Sequence, residues 1–112
     1  MWDELKTFLQ SQATPVQIWW RDDDATEACL ALDNYLQALP DTPILLAVIA
    51  DNYNASLVAR IKAEPQIKIA QHGFRHINHA PKNEKKSEYP KSRNITEIKT
   101  ELQLISSLTI FS

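Results

Sequence analysis

"PILLAVIA", residues 43–50, is the stretch on which the fold turns. A continuous apolar run of this kind predicts a strand buried on both sides, the setting found inside a parallel sheet. Working outward, "VQIWW" at 16–20 is rich in β-branched and aromatic residues and predicts a strand running into Asp22, Asp23 and Asp24. "QIKIAQ" at 66–71 predicts a third. Between the strands the apolar period changes. Ala25, Ala28, Cys29, Leu32, Leu36 and Leu39 mark one face of a helix ending before Pro40, which places Cys29 in the core. Asn54 is suited to cap a helix carrying Leu57, Val58 and Ile61. Trp2, Leu5, Phe8 and Leu9 predict a short helix over 2–11 that packs one face, and Asn94 with Glu97 three residues on predicts a capping box before Ile95, Ile98, Leu102 and Ile105. The order α-βα-βα-β-loop-α implies an α/β fold with a parallel sheet, or the N-terminal portion of a (β/α) barrel.

The chain has 112 residues, 44% hydrophobic and 23% charged, the makeup of a single soluble domain over 1–112. A net charge of -2 gives no broad electropositive field, which argues against a nucleic-acid partner. The basic cluster in "KNEKKSEYPKSR", 82–93, reads as a solvated loop. Cys29 stands alone, so neither an intramolecular disulfide nor a Cys-rich zinc site can form, and any metal must take nitrogen and oxygen ligands. The start "MWDELKTFLQSQ" is acidic and amphipathic, unlike an export signal, and no stretch has the length of a membrane span; a cytoplasmic protein without a membrane partner is expected. Three βα units cannot close a barrel of about eight strands. Either the open sheet pairs with another copy as a homo-oligomer, or the chain is the front part of a longer protein.

The acidic triplet lies where ligands bind parallel α/β proteins, at the carboxyl end of a strand. Asp24 with Glu27 also fits a helix N-cap, but capping needs only one Asp. Three adjacent carboxylates repel one another, which should raise at least one pKa unless a cation is nearby. All three histidines and the only glycine fall in "IAQHGFRHINHAP", 69–81. His72 and His76, separated by three residues, would project from one face of a helical turn and grip one ion, although that spacing alone is common on polar surfaces. Gly73 would let the loop turn back over the strand end through a backbone angle forbidden to other residues. Two imidazoles and one carboxylate then form a facial set for a divalent metal, zinc foremost.

The motif order of an acidic pair after the first strand and His-x-x-x-His after a later one resembles the polysaccharide deacetylase superfamily (NodB-homology, carbohydrate esterase 4-like). "WWRDDDA", "QHGFRHINHAP" and "EKKSEYPKSR" are similar to its WalW-like branch, with the likeness running from about residue 15 to about 104. The resemblance implies a distorted (β/α) barrel and a metal-dependent hydrolase acting on an N-acetylated sugar or a related amide or ester. It makes the first Asp of the pair a general base and the second a metal ligand beside both histidines. Asp23 as base with Asp24 as ligand is preferred because Arg21 then stands two positions before the pair; Asp22 with Asp23 is the alternative. Arg21, Phe74 and His79 are expected near substrate, His79 as a loop residue rather than a leaving-group acid. Trp19 and Trp20 are also placed to stack on a sugar, with at least one in the core because neighbours on a strand face opposite sides. The later motifs that supply an arginine to orient the base and a histidine acid are missing, so a metal- or ligand-binding module without turnover, or a protein-interaction module, stays open.

Overall fold

β2 (Ile44–Val48) forms the centre of a three-stranded parallel sheet, in the order β1 (Trp20–Ala25), β2, β3 (Ile67–Gln71), in a computed structural model that describes residues 1–111. Strands alternate with α1 (Trp2–Gln10), α2 (Leu30–Ala38), α3 (Ala55–Ala63) and α4 (Ile95–Ser107), and a 3-10 turn spans Thr109–Phe111. The fold is therefore a mixed α/β arrangement around a small open parallel sheet. Ile44, Leu46 and Val48 are wholly buried, as an apolar central strand must be. Around them pack Leu32 and Leu36 of α2, Leu57 of α3, Ile67 of β3 and Ile110. Ala50, Phe74 and Ile105 make a second, smaller cluster that ties α4 to the loops beyond β2 and β3.

The two asparagine caps form as their sequence context requires. Asn54 Oδ1 accepts from the amides of Ser56 and Leu57, and Asn94 Oδ1 from those of Thr96 and Glu97.

Other expectations are corrected. Helix α2 starts at Leu30, not near Ala25, because the preceding backbone is used to hold α3: Thr26 O accepts from Asn54 N and Ala28 N donates to Ser56 Oγ. Asp24 is consequently no N-cap, and Cys29, in extended conformation before the helix, is exposed rather than core. Helix α1 forms but buries none of its residues; Trp2 and Phe8 are exposed. Trp19 and Trp20 are both exposed, because β1 is an edge strand; Trp20 meets Tyr35 edge-on. The radius of gyration is 17.8 Å, against about 13 Å for a compact chain of this length. Val16 and Ile18, just before β1, are exposed with the two tryptophans.

β1 itself begins at Trp20 and includes the acidic triplet. Trp20, Arg21 and Asp22 pair with Ile44, Leu45 and Leu46, but Ala25 pairs with Val48. Three steps along β1 match two along β2, so one extra residue is accommodated between Asp22 and Ala25 as a bulge.

Candidate metal centre

The bulge decides where the carboxylates go. In a regular strand Asp23 and Asp24 would face opposite sides of the sheet. Asp24 instead adopts a left-handed backbone, φ 64°, and the alternation breaks. Both carboxylates then approach one imidazole: Asp24 Oδ1 lies 3.0 Å from His72 Nε2, and Asp23 Oδ1 lies 3.9 Å from His72 Nδ1. Asp22, on the other face, senses Tyr35 of α2, whose phenol is pushed up by burial and then by the Asp22 charge. The carboxyl of Asp22 is itself raised, first by burial and then by the charge of Asp23.

His72 follows β3 directly, and its amide donates to Val48 O at 2.8 Å, which fixes it at the tip of the central strand. The next residues do not form the helical turn expected from the His-x-x-x-His spacing. They make an irregular loop in which Gly73 has φ 69° and His76 φ 58°. The positive φ foreseen for Gly73 is present, and a second reversal at His76 does what helical periodicity was expected to do. The two imidazole centroids are 4.6 Å apart, and His76 Nδ1 lies 3.4 Å from Asp24 Oδ1. Asp51 ties the loop to the end of β2: its amide donates to Phe74 O at 2.8 Å and its carboxylate accepts from Arg75 Nε at 2.8 Å.

Among the described residues, Asp24, His72 and His76 form a group whose donor atoms all lie within 4.8 Å of one another. Donors around a tetrahedral ion with bonds of about 2.1 Å stand about 3.4 Å apart; Asp24 Oδ1 lies 3.4 Å from His76 Nδ1 and, at hydrogen-bond distance, 3.0 Å from His72 Nε2. Only Asp24 and His76 have non-glycine left-handed backbones among the described residues, and both belong to this group. Such strain costs about 1–2 kcal/mol per residue and clusters where function holds it in place. Oxygen and imidazole donors suit zinc and several other divalent ions.

Arg21 lies between Asp23 and His72. Its Nε donates to Asp23 Oδ1 at 2.5 Å, while an Nη2 contact of 3.2 Å reaches His72 Nδ1. Arginine has no acceptor, so His72 Nδ1 accepts and its ring proton sits on Nε2, facing Asp24. A cation held at Nε2 would replace that proton. Nδ1 would then carry a proton and need an acceptor, for which Asp23 is the carboxylate within reach.

The remaining expected site residues lie elsewhere. Phe74 is 6% exposed in the second apolar cluster, so its ring has no free face for a sugar to stack on. His79 is exposed in the following loop, its amide donating to Ser87 O. Arg93, expected in a solvated loop, instead has a side chain only 10% exposed and makes a two-pronged bond to Glu101 of α4 at 2.9 and 2.5 Å. Glu88 was hidden in sequence among the lysines around it, yet its carboxylate accepts from the amides of Phe74, Arg75 and His76.

No protein-family model, curated protein or solved structure matches the chain. No helix among the described residues is long and apolar enough to cross a membrane.

Proposed function

We propose that this chain is a metal-dependent hydrolase of the polysaccharide deacetylase type, built on the front strands of a distorted (β/α) barrel and removing acyl groups from an N-acetylated sugar or related amide or ester. The observation that carries the reading is the approach of one carboxylate oxygen, Asp24 Oδ1, to both His72 Nε2 and His76 Nδ1. A divalent ion bound there, zinc foremost, would acidify a coordinated water and polarise the acyl oxygen. Asp24, His72 and His76 would hold the cation, which would also offset the repulsion within the triplet. Asp23, not one of the three grouped donors, would take the proton of the attacking water as general base through its second oxygen, Oδ1 being turned to Arg21 and His72. Arg21 orients Asp23 through Nε, filling from the same strand the part that the resemblance assigns to a later arginine. This assignment favours the Asp23–Asp24 register over Asp22–Asp23, because Asp22 faces α2.

A binding module without turnover is favoured by a different observation, the openness of the site: Asp24 is 59% and His76 50% exposed at the side chain. Electrostatic catalysis is strongest where water is excluded. The two readings separate on Asp23→Asn. In a hydrolase, release of acetate from a chitooligosaccharide or an aryl acetate drops at least about a hundredfold in this variant, while zinc content stays at that of the parent. Zinc-loaded parent protein that releases no acetate from either substrate leaves only the binding module.

A further inference from the structure

We propose that Glu88 is the positioning residue of the metal centre: its carboxylate holds the backbone conformation that brings His76 to Asp24. The inference rests on the metal-binding reading above and adds the part of the chain that keeps that site assembled. Glu88 Oε1 accepts from Phe74 N at 3.0 Å and Arg75 N at 2.7 Å, and Oε2 accepts from His76 N at 3.2 Å. Three successive amides converge on one anion, as in the turn-type nests that bind anions, and the left-handed residues Gly73 and His76 stand at the two ends of this segment.

This arrangement accounts for two features that the metal ligands alone do not. The only glycine of the chain stands where a Cβ would run into the Glu88 carboxylate, so residue 73 must be glycine for Glu88 to enter. His76 pays for a left-handed backbone with the hydrogen bond its amide gives to Oε2; relaxed to negative φ, its imidazole would swing away from Asp24. Glu88 is anchored in turn. Arg93 Nη1 donates to Glu88 O at 3.3 Å while the same guanidinium grips Glu101, so α4 is linked to His76 through Arg93 and Glu88. Glu88 acts through an amide of the ligand residue, not through its imidazole, which makes it a positioning group.

Isothermal titration of zinc chloride into the full chain tests this, with thermal unfolding of each metal-free variant alongside. Glu88→Gln is the decisive variant. Its amide oxygen can keep the Phe74 and Arg75 bonds, but its NH2 faces the His76 amide as a second donor, so only the His76 leg is lost. Zinc affinity should fall about tenfold or more, the scale for removing an outer partner of a metal ligand, with Tm close to that of the parent. Glu88→Ala should bind more weakly still; should it fail to fold, Glu88→Gln decides alone. Glu84→Gln removes a charge from the same loop and should leave the affinity unchanged. Parental affinity in Glu88→Gln overturns the inference while leaving the metal centre standing, and so does an equal loss in Glu84→Gln, which would make the effect one of charge. A parent chain that binds no zinc overturns the metal-binding reading and this inference together.

Discussion

Asp24 Oδ1 and His72 Nε2 stand 3.0 Å apart although they come from opposite edge strands of the sheet, β1 and the end of β3. Their meeting over the tip of β2 depends on an extra residue in β1 and on the left-handed backbone of Asp24. The structure thus spends conformational energy to place polar groups together, a pattern expected of a site and not of a packed core.

That strain has a measurable sign. In an ordinary strand glycine is less stable than alanine by about 0.5–1 kcal/mol. At position 24 the order should reverse, with Asp24→Gly more stable than Asp24→Ala by about 1 kcal/mol in urea unfolding of the metal-free chain, because only glycine adopts φ 64° freely. The same reversal is expected for His76→Gly against His76→Ala. Alanine at least as stable as glycine at both positions would mean that neither backbone is left-handed in solution.

Gly73→Ala should lose about 1–3 kcal/mol, since a Cβ there meets both a positive φ and the Glu88 carboxylate. Combining it with Glu88→Ala removes the collision but not the φ. The double variant should therefore lose less than the sum of the single losses, and simple additivity would show that Glu88 does not reach Gly73.

Arg21 should separate binding from turnover. Its guanidinium orients Asp23 and also occupies His72 Nδ1, where a metal-bound imidazole would carry a proton. Arg21→Gln is accordingly expected to bind zinc at least as tightly as the parent, while acetate release falls about ten- to a hundredfold through misplacement of the base. A large drop in zinc affinity would instead make Arg21 part of the scaffold of the ligands.

Acid stability should depend on Glu101. The hydrogen bonds from Arg93 hold its carboxyl below the ordinary value of 4.5, so the folded chain binds this proton more weakly than the unfolded chain. The stabilisation is therefore fully present above 4.5 and is lost as pH falls through the lowered folded-state value. Glu101→Gln should be less stable than the parent near neutral pH, and the gap should close in strong acid. A gap that widens on acidification would contradict the pairing.

The succession of helices and strands along the chain, the caps of α3 and α4 and the need for a positive φ at Gly73 were legible in sequence because each depends on neighbours along the chain. PILLAVIA could hardly be anything but a buried strand, and Asn54 and Asn94 cap with their own side chains. What was not legible depends on tertiary partners. The bulge in β1 answers to pairing with β2, the late start of α2 to the bonds that Thr26 accepts from Asn54 and Ala28 donates to Ser56, and the roles of Glu88 and Arg93 to amides and carboxylates distant in sequence. The pairing of Arg21 with Asp23 does leave a sequence signal, since residues two apart on a strand share a face and these carry opposite charge. The spacing of His72 and His76 fits a helix, yet Gly73 within it already favours a loop.

The most direct test is zinc titration of the metal-free chain compared with His72→Ala, His76→Ala and Asp24→Ala. One equivalent of zinc in the parent, with affinity reduced at least a hundredfold in each variant, is the expected result. A parent that takes up no zinc, or variants that bind it as well as the parent, would contradict the claim that these three side chains form one metal centre.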